Sequence, residues 1–209
     1  MAKRPDGKLP LLPAGTLTQR KIDEVDVTRD GKSQRVQLLA VSGQGLTPQF
    51  AWTTTGSKAR LFAVVSPGYL LAIEEGWESN GALLETRQKA AEATLLKDMA
   101  ARLKKPMVGM TVIRNARVFD SENAKLLPAS DVYVLRGKIT AVLPAGSPTR
   151  GADNEIDAAG RVLLPGLFDM HGHVGRWDGG LNLAAGVTTV RDMGNDNVTL
   201  QQIIDETGA

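Results

Sequence analysis

From Thr16 to about Ile73, apolar and polar residues alternate with the period of two that belongs to a half-buried strand. The run KIDEVDVTRDGKSQRVQLLAV alternates on both sides of Asp30-Gly31, a dipeptide suited to a two-residue hairpin turn. FAWTTTGSKARLFAVV repeats the arrangement around Gly56-Ser57. A small antiparallel sheet is therefore predicted. Residues 1–14 hold Pro5, Pro10 and Pro13 with little periodicity, and read as an extended lead-in.

Between Gly81 and Lys104 the period lengthens. Leu84, Ala91, Leu95, Met99 and Leu103 recur at helical spacing, with Glu, Lys and Arg filling much of the remainder. Ser79 or Asn80 is placed to cap the start. Lys104-Lys105-Pro106 is placed to end it, because proline disfavours helix in the residue before it. A groove-binding role for the apolar face is conceivable, but packing against the preceding sheet is the expectation. No catalytic constellation stands in this half.

Beyond Met110 the strand pattern returns. TVIRNARVFD, DVYVLRG, KITAVLP and EIDAAGRVLLP read as four short strands, with tight turns at Arg136-Gly137 and Asp157–Gly160. PGLFDMHGHV comes next, then a Gly-rich loop, a short helix about Leu181–Ala185, a strand VTTVRD and a helix start at VTLQQIIDE. Strand, helix, strand, helix is the βα unit of a parallel sheet. The fold class is α/β with a β-rich N-terminal part. Its parts are 1–14, 15–105 (sheet plus long helix), 106–163 (four strands) and 164–209 (βαβα).

Composition narrows the function. Hydrophobic residues make up 42% and charged residues 23%, so a core can form. A net charge of +2 is too even for a nucleic-acid partner, which needs a clustered basic face. The basic opening MAKRPDGK reads as a solvated end. No run reaches the roughly 18 apolar residues of a membrane span, and no apolar signal core comes after the start. The expectation is a cytoplasmic chain, or an exported one if a leader precedes Met1. With no cysteine, ligand chemistry is left to His, Asp and Glu.

The chain has two histidines, His171 and His173. On a strand, residues two apart face the same way, so both imidazoles project together while Gly172 faces away. Two neutral imidazoles converging on one point are what a divalent ion such as zinc accepts. His-x-His alone is a weak signal; its position at the end of an apolar strand and before a polar loop strengthens it. Asp169 precedes on the same face, either orienting an imidazole or satisfied by backbone donors. Asp192 ends the second strand of the unit, where it can touch substrate or a ligand, cap a helix, or pair with Arg191 or Arg176. Trp177 and Asp178 are substrate-contact or helix-capping candidates. Thr188 and Thr189 are ordinary strand formers.

The string VLLPGLFDMHGHVGRWDGGLNLAAGVTTVRDMGND resembles the first βαβ segment of the amidohydrolase superfamily, most closely its imidazolonepropionase-like and Xaa-dipeptidase (prolidase) branch. PGLFDMHGH matches the family's first barrel strand and GVTTVRD its second; the resemblance covers roughly residues 108–209. It implies that 106–163 is part of a β-sandwich, and that 164–209 opens a metal-dependent TIM-type barrel. It further implies His171 and His173 as metal ligands, with Asp169 and Asp192 beside them. One or two divalent cations are implied, usually zinc, with manganese, iron or cobalt as alternatives. They activate water for attack on the C–N bond of an amide, a dipeptide or a cyclic amide. The family's other ligands, a carboxylated Lys or a Glu and two further His, come from later strands, as does the Asp that moves the proton. The expectation is that these 209 residues alone bind metal weakly and are inactive. An oligomer is possible. The rival expectations are a non-catalytic β-rich scaffold module and one part of a split enzyme.

Overall fold

The computed structural model describes residues 7–149, 151–195 and 197–207. Most of the basic opening therefore lies outside the described residues. The chain divides into two compact units, Met1–Leu103 and Lys104–Ala209.

The first unit is an antiparallel meander and then a helix. Its strands are β1 (Lys8–Pro10), β2 (Thr16–Arg29), β3 (Lys32–Ser42), β4 (Gln49–Thr54), β5 (Leu61–Ser66) and β6 (Leu70–Ile73), each paired with the next. Arg29 faces Lys32 across the β2–β3 turn, with Asp30 and Gly31 at φ 49° and 73°. Two positive φ values make this the turn whose twist matches its flanking strands. Val27, Val36, Leu38, Trp52, Phe62, Ala63 and Val65 form the core, and Leu84 of α1 (Gly81–Leu103) closes it.

Helix α1 packs on β2 and β5, through fewer apolar side chains than its periodicity suggests. Its buried positions are Gly81, Leu84, Gln88 and Glu92, whereas Leu103 is 68% exposed. A helix of 23 residues is about 35 Å long; burial stops after its first three turns. Gln88 is 1% exposed and fully engaged. It accepts a hydrogen bond from Trp52 Nε1 (3.1 Å) and donates to the Val65 carbonyl (2.9 Å) and Glu92 Oε1 (2.8 Å). A polar residue at a core position thus ties helix to sheet without an orphaned group.

Asn80, a candidate cap in the sequence, has another task. Its side chain accepts from the Thr28 amide and donates to the Thr28 carbonyl, both at 3.0 Å. Arg87 donates to the Glu24 carbonyl (3.3 Å) while pairing with Asp23. Since β1 covers only Thr16–Thr18 of β2, these side chains occupy the strand's otherwise open edge.

In the second unit, β7 (Met110–Asp120), β8 (Lys125–Leu135) and β9 (Lys138–Pro144) are antiparallel neighbours. β10 (Asn154–Asp157) and β11 (Val162–Leu163) both run parallel to β7. The stretch EIDAAGRVLLP, counted as one strand with a turn at Asp157–Gly160, is two strands on either side of that turn. Ala159 and Gly160 turn it at φ 49° and 75°, and the Ala158 and Gly160 amides bond the Arg114 and Asn115 carbonyls. At the same level β7 is bulged, with Asn115 at φ 53°. The Asp131 carboxylate, 1% exposed, secures the bulge. It accepts from the Asn115 amide (2.9 Å), Arg114 (2.9 Å) and the Gly146 amide (3.1 Å). Burial pushes its pKa up, but the Asn115 amide, the Arg114 guanidinium and the Gly146 amide together outweigh burial and hold it below the ordinary carboxylate value.

The chain then forms β12 (Leu167–Gly172), α2 (Asp178–Ala184), β13 (Val187–Asp192) and α3 (Asn197–Thr207). β12 and β13 pair in parallel, with α2 in the connection. The helix begins at Asp178, three residues ahead of the Leu181 start read from the pattern. Gly186, at φ 82°, lies just past the helix and accepts the Leu167 amide. This apolar strand is open to solvent, with Leu167, Phe168 and Met170 at 52%, 67% and 59% exposure. The physical reason is that β12 pairs only with β13 among the described residues, whereas parallel strands are ordinarily covered on both faces.

Candidate metal centre

His171 lies on β12, and His173 stands one residue past its end. Their ring centroids are 5.7 Å apart, with the planes inclined by 58°, and both residues are exposed. With Zn–N at about 2.1 Å, each imidazole centroid sits about 3 Å from the ion, and a tetrahedral angle sets two centroids about 5 Å apart. The observed centroid spacing of 5.7 Å is close to that value. Among the described residues, no group of three or more His, Cys, Asp or Glu side chains gathers to hold an ion.

Gly172 keeps the pair against the neighbouring strand, because a Cβ there would collide with the Val190 side chain. Asp169 Oδ1 accepts the His171 backbone amide at 3.0 Å. Asp169 thus holds the backbone of the first histidine.

Asp192 joins the end of β13 to the loop after the histidines. Its carboxylate accepts from the Val174 amide (3.3 Å), the Gly194 amide (3.2 Å) and Asn195 Nδ2 (2.8 Å). The Gly194 amide holds its pKa below the ordinary value against the opposing effect of desolvation; Asn195, the Val174 amide and the charge of His173 add to the lowering. Asp178 lies in the first turn of α2 and accepts the Gly175 amide at 2.6 Å. Trp177 holds the N-cap position of that helix and makes no side-chain cap bond.

Two residues carried no signal strong enough to single them out in the sequence. Asn195 Nδ2 donates to the Val174 carbonyl at 2.9 Å. Gly194 lies against His173: a Cβ there would stand 2.6 Å from the ring Cε1. Their one hint was proximity to Asp192 in a Gly-Asn turn.

No family model matches the chain. It is similar to an adenine deaminase of Chelativorans sp. (strain BNC1), 43% identical over 63 residues that span 30% of this chain and 10% of that protein. It is similar also to an allantoinase of Streptomyces avermitilis, 41% identical over 92 residues, covering 39% of this chain and 20% of the relative. Among solved structures, a prolidase complexed with N-methylphosphonate-L-proline aligns at TM-score 0.37 and 26% identity, over 47% of this chain and 29% of that one. The matched stretches thus span a fifth or less of these curated relatives. For the part of the chain they cover, the relatives indicate the amidohydrolase superfamily.

Proposed function

We propose that the chain contributes His171 and His173 as metal ligands to a hydrolase acting on C–N bonds, in a barrel that opens with β12 and β13. The observation that carries this reading is the imidazole pair, with ring centroids 5.7 Å apart and facing solvent at the carboxyl end of a parallel strand. That end is where barrel enzymes keep their chemistry. The relatives named adenine deaminase and allantoinase are hydrolases of C–N bonds, which supports the reaction class.

A divalent ion bound there, such as zinc, supplies Lewis-acid activation of water and of the carbonyl-type carbon under attack. The protein's own part is positional. Asp169 fixes the backbone of His171, Gly172 admits the close strand pairing, and Asp192 organises the loop behind His173. The substrate is a small amide, a dipeptide or a cyclic amide. Two imidazoles leave half of a four-coordinate site to other donors. We accordingly expect the 209-residue chain alone to bind zinc weakly and to show no turnover. The strands at 106–163 are read as the accompanying part of a β-sandwich.

Zinc titration of the purified chain tests the ligand assignment. Uptake of one ion by the parent, with loss in the His171→Ala/His173→Ala double variant, is the expected result. Equal uptake by both overturns it. Hydrolysis of dipeptides, adenine or allantoin above a metal-only blank would overturn the expected inactivity of the isolated chain.

A further inference from the structure

We infer that the turn Asp192–Asn195 is the positioning element of His173, so that the segment after the second strand decides where the second imidazole points. The consequence for metal binding rests on the ligand assignment proposed above; the positioning itself rests on contacts within the chain.

The contacts fall on both sides of His173. Ahead of it, the Gly172 carbonyl accepts the Met193 amide at 2.9 Å. Behind it, Val174 is held at both of its backbone groups. Its amide donates to Asp192 Oδ2 at 3.3 Å, and its carbonyl accepts Asn195 Nδ2 at 2.9 Å. Asn195 and Asp192 are joined to one another at 2.8 Å, and the Gly194 amide closes on Asp192 Oδ1 at 3.2 Å. The turn therefore behaves as one piece that grips the chain before and after the ligand. Gly194 completes it from below. An added Cβ there would stand 2.6 Å from Cε1 and 2.8 Å from Nδ1 of His173, so the ring keeps its place only over a residue without a side chain.

His171 is secured differently, by Asp169 two residues earlier on its own strand. One ligand is thus set by β12 itself and the other by the turn beyond β13. In this arrangement Asp192, Gly194 and Asn195 act through His173, and none of them needs to touch substrate. Groups that orient a ligand from behind commonly change metal affinity by about 10- to 100-fold when removed.

The two histidines make a direct test possible, because the chain gives two imidazole Cε1–Hε1 signals, assignable with His171→Ala and His173→Ala. In the zinc-free chain, Asp192→Ala, Asn195→Ala and Gly194→Ala are expected to displace the His173 signal and leave that of His171 in place. Asp192→Asn keeps an acceptor for the Gly194 amide and should displace it less. Zinc affinity in the first three variants should fall by about tenfold. A His173 signal that stays put in Asp192→Ala and Asn195→Ala overturns the inference. So does joint movement of both histidine signals with the amide spectrum, which marks general loss of structure. Absence of zinc uptake by the parent chain would sink the metal reading alone, since the ring signals decide the positioning without it.

Discussion

Replacing Asp131 by alanine should loosen the five-stranded sheet of the second unit, and the size of the effect can be worked from its partners. The carboxylate is 1% exposed and receives the Asn115 and Gly146 amides and the Arg114 guanidinium. Hydrogen bonds to a charged acceptor contribute about 1.5–3 kcal/mol each. Arg114 is 24% exposed and keeps Glu155, so no share is assigned to it. The two amides then suggest about 3 kcal/mol for Asp131→Ala, and about half of that for Asp131→Asn, which retains one acceptor.

Amide hydrogen exchange followed peptide by peptide is the suitable assay, because it localises the loss. For Asp131→Ala, peptides covering 110–118 and 129–135 should exchange roughly 150-fold faster. Peptides of β2 and β3 serve as the internal reference. The pH dependence has a definite sign. A carboxyl whose folded pKa is depressed stabilises fully above its unfolded value of about 3.9, and loses that contribution as pH falls toward the folded value. The parent sheet should therefore lose protection more steeply than Asp131→Asn in that acid window. Unchanged exchange at 110–118, or identical acid profiles, would refute the view that this carboxylate secures the bulge.

Other perturbations give similarly concrete expectations. Gln88→Leu leaves the indole N–H of Trp52 and the Val65 carbonyl without their buried partner; a loss of about 2 kcal/mol is expected in urea unfolding. No change in midpoint would count against the network. Gly172→Ala drives a methyl into Val190 and should cost about 1–3 kcal/mol with loss of zinc uptake. Adding Val190→Ala should restore both, and failure to do so would show that the collision is not the cause. Phe168→Ser with Met170→Ser removes two side chains that are 67% and 59% exposed, and should lower self-association in light scattering across a concentration series. Equal association by the parent and the variant would show that this surface is not responsible.

Local chemistry made much of the fold readable. Asp30-Gly31 and Arg136-Gly137 are short-range signals, and both close two-residue turns with positive φ. Long-range demands were harder to see. Gln88 looks like a surface position on a charged helix; only its placement over Trp52 makes it a core residue. The turn at Asp157–Gly160 was legible, but the pairing of β10 and β11 on either side of it with one bulged β7 is a relation between segments about 40 residues apart. At the candidate centre the histidines and Asp192 stood out because their chemistry is distinctive. Asn195 and Gly194 did not, since one supplies only a carboxamide to a neighbouring backbone and the other only space.

The two side chains that close the border of β2 also act as a gauge. Asn80, at the end of the 3-10 turn leading into α1, and Arg87 on α1 are seven residues apart, and they meet backbone groups of Thr28 and Glu24, four apart on the strand. Seven helical residues climb about 10 Å and four extended ones about 13 Å, so the two fastenings match only at one alignment. Inserting a single residue between either pair would swing one clasp about 100° around the helix, or turn the backbone groups it meets to the opposite edge of the strand. Variation in length should therefore be absorbed at 43–48 and 55–60, where the chain passes between strands, while the splinted stretch keeps its count.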